Sequence, residues 1–210
     1  MKNIVKNPEP ASLTQHRCQA HADYDNYPQK TDLRMSLLAE QGNICCYCMQ
    51  RIKFGKMRIE HWHSRFGHGG EQLDYRNLLG ACLGNEGHPP DQQHCDKRKG
   101  EDDISFNPAE PAHFVENRIR YLGDGTIEAD HADFDRELNA ILNLNHSRLK
   151  ANRRAVIDSV IADLGRDPGT RTRGEIQAKI QEWLSPTANK FREFCCVAVY
   201  FLNKRLNRVP

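Results

Sequence analysis

The chain has 210 residues, 38% of them apolar, and a formal net charge of +2. That length suits one domain, or one small domain with a helical extension, and it can bury a core. No apolar run approaches the ~20 residues that span a bilayer, and the N-terminal MKNIVKNPEPASLTQ has no apolar signal core, so a soluble, cytoplasmic protein without membrane partners is expected.

Residues 1–29 are polar, with Pro8, Pro10 and Pro28, and read as an extended arm. TDLRMSLLAEQG predicts a short helix: Thr31 or Asp32 caps it, Leu33, Leu37 and Leu38 form its apolar side, and Gly42 ends it. NICCYCMQRI follows as a tight cysteine turn, and KMRIEHWH alternates as a strand does. SRFGHGGEQLD is a loop with a reversal at Gly69-Gly70, and NLLGAC is a second short strand. LGNEGHPPDQQH is turn-rich, and CDKRKGEDD reads as a helix start or compact turn. Past about residue 105 the character changes. RIRYLGDGTIEA predicts a hairpin around Gly123-Asp124-Gly125, and helices are expected over 133–143, 147–164, 173–184 and 188–206. In the last, Phe191, Phe194, Cys195, Ala198, Phe201 and Leu202 recur at helical spacing, which marks core or a partner interface rather than chemistry. The expected class is α+β, with three regions: the arm 1–29, a core 30–107, and a mainly helical region 108–210 for packing and partner docking.

Eight cysteines in a chain expected in the cytoplasm point to metal rather than disulfides. Cys45-x-x-Cys48 is half of a tetrahedral zinc knuckle. Cys82 and Cys95 are the remaining cysteines of the region, and a loop whose ends meet at the ion can span their separation. His88 and His94 are rival fourth ligands, and Cys46 must be turned away. Such a closed site would be structural. It would staple the two strands, which are marginal alone, to the turn before them. Cys195 and Cys196 read as buried inert thiols and Cys18 has no partner.

Four polar residues then fall beside this framework: Glu60, His61, Asn77 and Asp96. Neighbouring strand residues point to opposite faces, so Glu60 and His61 need a bulge or strand end to share a pocket. Glu60 and Asp96 are hard oxygen ligands suited to Mg²⁺ or Mn²⁺. His61 can take a proton from an attacking water, and Asn77 can hold the intervening loop. Basic residues gather here, from Lys53 to Arg76 and again at Lys97–Lys99. Arg65 and Lys99 are the candidate phosphate contacts.

GNICCYCMQRI, RIEHWHSRF, DYRNLLGAC and HCDKRKG together resemble the HNH endonuclease family, in its zinc-containing ββα-metal branch. Within it they are similar to the HNH nuclease subunit (PtuB-like) of Septu-type antiphage defence systems. The resemblance covers about residues 42–107, with weaker similarity in LNLNHSRLKANRRAVI. It implies a small ββα-metal core with a structural zinc knuckle held by Cys45, Cys48, Cys82 and Cys95. It makes Glu60 a catalytic-metal ligand, His61 the general base and Asn77 the central asparagine. Asp96 falls where the family has its last metal ligand. Ser64 departs from the proline many members carry, and LGNEGHPPDQQH opens the second C-x-x-C. His63 and His68 have no family role and read as exposed or phosphate-facing side chains rather than ligands.

The implied activity is metal-dependent hydrolysis of nucleic acid, DNA favoured and RNA open, leaving 5′-phosphate and 3′-hydroxyl ends. The implied partner is an ABC-type ATPase (PtuA-like), and the chain itself has no Walker motif. The alternative is a non-catalytic, zinc-stabilised nucleic-acid-binding or adaptor module. A zinc peptidase fails on motif, since no H-E-x-x-H is present.

Overall fold

A computed structural model describes residues 1–166 and 171–209; positions 167–170 and 210 of the expected helical region lie outside the described residues. The N-terminal stretch differs from the expected extended arm. It contains helix α1 (Ala11–Arg17), and Met1, Ile4, Leu13 and Tyr27 are buried. The apolar side chains spaced through the arm supply the reason. Ile4 N–H donates to the Pro108 carbonyl at 2.8 Å, and Lys6 Nζ donates to Glu40 Oε1 at 2.5 Å and the Leu78 carbonyl at 2.8 Å.

Helix α2 (Lys30–Glu40) buries Leu33, Leu37 and Leu38, as the spacing requires. It starts at Lys30, with no side-chain cap, so Thr31 and Asp32 lie inside its first turn. Gly42, at φ +55°, ends it, while Asn43 N–H returns to the Leu38 carbonyl at 2.9 Å. A Cβ there would sit 2.3 Å from the Phe191 ring.

Strands β1 (Arg58–His61) and β2 (Leu78–Ala81) pair antiparallel, with Glu60 opposite Leu79 and His61 opposite Leu78. Every β2 residue is buried, which demands partners for its outer edge. The buried Gln41 side chain provides them: its Oε1 accepts from Gly80 N–H at 2.6 Å and its Nε2 donates to the Gly80 carbonyl at 2.8 Å. Helix α3 (Cys95–Lys99) follows and reaches β1 through its side chains.

Helix α4 (Val115–Arg118) leads into the hairpin of β3 (Ile119–Tyr121) and β4 (Ile127–Ala129), whose turn encloses Gly123-Asp124-Gly125 as the sequence indicates. The helix expected over 133–143 divides into α5 (Ala132–Arg136) and a π-helical turn, Glu137–Ile141. Helices α6 (Ser147–Leu164) and α7 (Arg173–Leu184) match the expected spans, α7 opening on a Thr172–Glu175 capping box. Helix α8 (Cys195–Leu206) starts later than the expected 188. Residues 191–194 are instead tied to the cysteine turn: Phe191 N–H donates to the Gly42 carbonyl at 3.0 Å, Arg51 N–H to Glu193 Oε1 at 2.7 Å, and Phe194 N–H to the Met49 carbonyl at 3.3 Å.

The largest buried cluster runs from Met1 to Val197 and draws on all three expected regions. A smaller one joins Val160, Ile176, Ile180, Ala198 and Leu202 across α6, α7 and α8. Phe194, Cys195, Ala198 and Leu202 of the apolar stripe are buried, so it packs as core. No helix among the described residues is long and apolar enough to cross a membrane.

A candidate zinc centre beside an acid and histidine cavity

Cys45, Cys48, Cys82 and Cys95 are buried, and their Sγ atoms all lie within 4.8 Å of one another. Cys48 and Cys82 Sγ are 3.8 Å apart; a tetrahedral ion with Zn–S bonds of about 2.3 Å has edges of about 3.8 Å. The turn 45–50 closes with Cys45 N–H on the Gln50 carbonyl at 2.8 Å and Met49 at φ +64°. Cys82 N–H then donates to Cys45 Sγ at 3.3 Å. The loop between Cys82 and Cys95 meets at its base, where His94 N–H donates to the Gly84 carbonyl at 3.1 Å. Asn143 Nδ2 holds the loop's Asp91 and Gln93 carbonyls at 3.0 and 2.8 Å. Gly84 has φ +58°, and a Cβ there would lie 2.1 Å from the His94 carbonyl oxygen, so only glycine fits.

The rival ligands stand aside. His88 is exposed. His94 is buried with Nδ1 3.2 Å from Cys95 Sγ, as a hydrogen-bonding neighbour of the set. Cys46 is not one of the four. Burial pushes the Cys48 and Cys95 thiols well up, and although burial also acts on Cys45, hydrogen bonds from Cys46, Cys48, Cys82 and Cys95 hold that thiol well down. A bound dication would stabilise the thiolate form that metal ligation requires. Four sulfur donors at tetrahedral spacing fit zinc in a structural role.

Glu60 is buried on β1. Its Oε1 accepts from Tyr47 Oη at 2.8 Å and lies 3.1 Å from Lys99 Nζ. Burial, and then contact with the Asp96 carboxyl, hold Glu60 well above the usual carboxylate range, against the pull of Lys99 and Tyr47. Asp96 in turn accepts from Arg58 Nε. Two carboxyl groups in contact, one of them buried, oppose each other's ionisation. Lys99 is buried too, and its ammonium also donates to the His61 carbonyl at 3.0 Å. Lys99 is therefore committed inside the protein and does not offer the phosphate contact expected of it.

His61 is the last residue of β1, where strict alternation lapses. Its Nε2 lies 3.0 Å from the Gln72 carbonyl oxygen, and its ring meets Tyr24 edge-on at 4.5 Å. A carbonyl only accepts, so Nε2 carries the hydrogen and Nδ1 is the basic nitrogen. Burial pushes the imidazole down to about 4, so it is neutral at pH 7. Asn77 anchors the following loop: its Oδ1 accepts from His63 N–H at 2.7 Å, and its Nδ2 donates to the His63 and Glu71 carbonyls at 3.0 and 3.3 Å.

Glu60, His61 and Asp96 all line one cavity of about 560 Å³. Among the described residues, His61 does not complete a set of ligand atoms within 4.8 Å with the two acids. Arg65 lines the same cavity, over the Tyr24 ring at 5.0 Å and bonded to Asp25 at 2.7 Å. Arg34, Arg58, Arg65 and Lys97 face Glu60, Glu86, Asp96 and Glu101 there, so the wall is balanced in formal charge rather than basic.

Tyr47, Tyr24 and Gln72 are the site residues that sequence reasoning passed over, and Arg58, counted only among the basic residues there, also pairs with Asp96. That pairing had a signal, since Arg58 stands two residues before Glu60 and strand residues at that spacing share a face. Gln72 acts through its backbone and left none.

No protein-family model matches this chain, and no curated protein matches it.

Proposed function

We propose that this chain is a metal-dependent endonuclease of the HNH type that hydrolyses phosphodiester bonds of nucleic acid, DNA before RNA. The observation that carries the proposal is His61: its Nε2 is committed to a backbone carbonyl and its neutral ring lines the cavity that the Glu60–Asp96 pair also lines. In this reading His61 Nδ1 takes a proton from water as that water attacks phosphorus, a step typically worth ~10²–10⁴ in rate. The P–O3′ bond breaks, and the departing 3′-oxygen is protonated from solvent. Mg²⁺ or Mn²⁺ held by Glu60 and Asp96 would neutralise charge on the phosphate and leaving oxygen. Asn77 keeps the 63–71 loop in register, and Arg34, Lys97 and Arg65, the last by exchanging its exposed partner Asp25, are the cavity-lining cations that would meet phosphate.

The resemblance extends the proposal to an antiphage defence complex with an ABC-type ATPase. The helical region, which carries no chemical motif, would then dock the partner. The alternative, a non-catalytic zinc-stabilised binding or adaptor module, draws on the balanced cavity wall and on Lys99 and Arg58, which already compensate the two acids.

Cleavage of duplex DNA, single-stranded DNA and tRNA with and without Mg²⁺ tests the proposal, Glu60→Gln serving as control. The nuclease reading expects Mg²⁺-dependent 5′-phosphate ends, lost in the variant. Binding without cutting, indifferent to Mg²⁺, would establish the module.

A further inference from the structure

Beyond the four cysteines and the Glu60–Asp96 pair, a third cluster has metal-ligand character. We propose that His63, His68 and Glu71 bind one divalent transition-metal ion of zinc's class through two imidazoles and a carboxylate. The cluster does not depend on the nuclease reading.

One ligand atom from each of the three residues lies within 4.8 Å of the other two. The Glu71 carboxylate brackets both rings, with Oε2 2.7 Å from His63 Nδ1 and Oε1 4.0 Å from His68 Nδ1. The rings stack at 4.4 Å and 18°; because an imidazole binds a metal in its own plane, one ring would rotate about χ2 to bring both Nδ1 lone pairs onto the ion. His68 Nε2 donates to Asp103 Oδ2 at 2.9 Å. That bond leaves the lone pair on Nδ1, as a carboxylate behind a metal-bound histidine does. The ion would take the place of the hydrogen between His63 Nδ1 and Glu71.

The backbone is already arranged for this. Asn77 pins His63 N–H, the His63 carbonyl and the Glu71 carbonyl. His68 N–H donates to the Ser64 carbonyl and Glu71 N–H to the His68 carbonyl, each at 2.9 Å. Ser64 N–H is held by Asp103 Oδ1 at 2.8 Å, so one aspartate orients both the ligand and the loop. Two imidazole nitrogens disfavour Mg²⁺ and Ca²⁺, and the absence of thiolate disfavours iron–sulfur chemistry. Three protein ligands leave a coordination position for water. The ion would fix the loop that brings Ser64 and Arg65 to the wall of the large cavity.

Cobalt(II) titration of the full chain, followed by visible and near-ultraviolet absorption, tests this. With the cysteine site loaded with zinc and Mg²⁺ in excess, the expected result is one further equivalent bound with visible d–d bands and no sulfur-to-cobalt charge transfer. Its affinity should fall at least ~10-fold in His63→Ala, His68→Ala and Glu71→Gln, and ~10-fold in Asp103→Asn. Thermal midpoints without added cobalt identify variants that fold, and the near-isosteric Glu71→Gln at a half-exposed side chain keeps the test available. Uptake unchanged in folded Glu71→Gln, or uptake showing only the thiolate bands of the cysteine site, overturns the proposal.

Discussion

Lys99 decides how the two acids of the cavity are held. Its buried ammonium sits 3.1 Å from Glu60 Oε1 and donates to the His61 carbonyl at 3.0 Å, so removing it leaves two buried acceptors without that donor. Lys99→Met should cost on the order of 1.5–3 kcal/mol for each charged hydrogen bond lost, read in urea unfolding. The role was legible in part. Asp96 and Lys99 are three residues apart on α3, a spacing that puts both on one helix face, but no pattern shows that the face is buried against β1. His61 brings a pH dependence. Burial lowers it from 6.5 to about 4, so the unfolded chain binds the proton first. This group therefore leaves stability unchanged above about pH 6.5 and removes it as pH falls toward 4. Burial lowers His94 to about 4 as well and adds to the same limb. Chemical denaturation across that range should show the decline, and His61→Gln should make it shallower.

The loop from Cys82 to Cys95 depends on Gly84, the position where the chain must turn without a Cβ. Gly84→Ala should lower stability by about 1–3 kcal/mol and speed zinc loss to a chromogenic chelator. Cys45→Ser and Cys82→Ser should release the ion and unfold the region around β1 and β2, whereas His61→Ala should fold normally by circular dichroism. Short strands, the hairpin, α6 and α7 were readable because local periodicity and turn residues agree there. The start of α8 was not. Phe191 and Glu193 continue a helical pattern, yet their backbone and side chain are claimed by Gly42 and Arg51, more than a hundred residues earlier. Long-range competition of this kind leaves no trace in a local window. His63 and His68 are partly exposed, and what no local window shows is that Asn77 folds the loop so that Glu71 and Asp103 meet them.

Across the whole molecule the cysteine framework and the helical region are physically joined. Cys95 N–H donates to the Leu142 carbonyl at 2.8 Å, and the Asn143 side chain clasps the loop between Cys82 and Cys95. Arg153 on α6 is fully buried without a carboxylate partner among its described bonds. It donates to the Gly125 and Leu144 carbonyls at 2.5 and 2.8 Å, locking α6 to the β3–β4 turn. Arg153→Ala should destabilise the chain by several kcal/mol, on the order of 1.5–3 for each charged hydrogen bond lost, as read by the thermal midpoint. The polar site was legible as a set of residue types, whereas its neutral charge balance emerges only when distant acids and bases meet in one cavity. The most direct measurement is plasmid nicking in Mg²⁺ by native protein and His61→Ala, each first shown to retain its cysteine-bound zinc. The expected result is nicking by the native chain and a loss of at least ~10²-fold in the variant. Equal nicking by both, or none by either, would contradict the account.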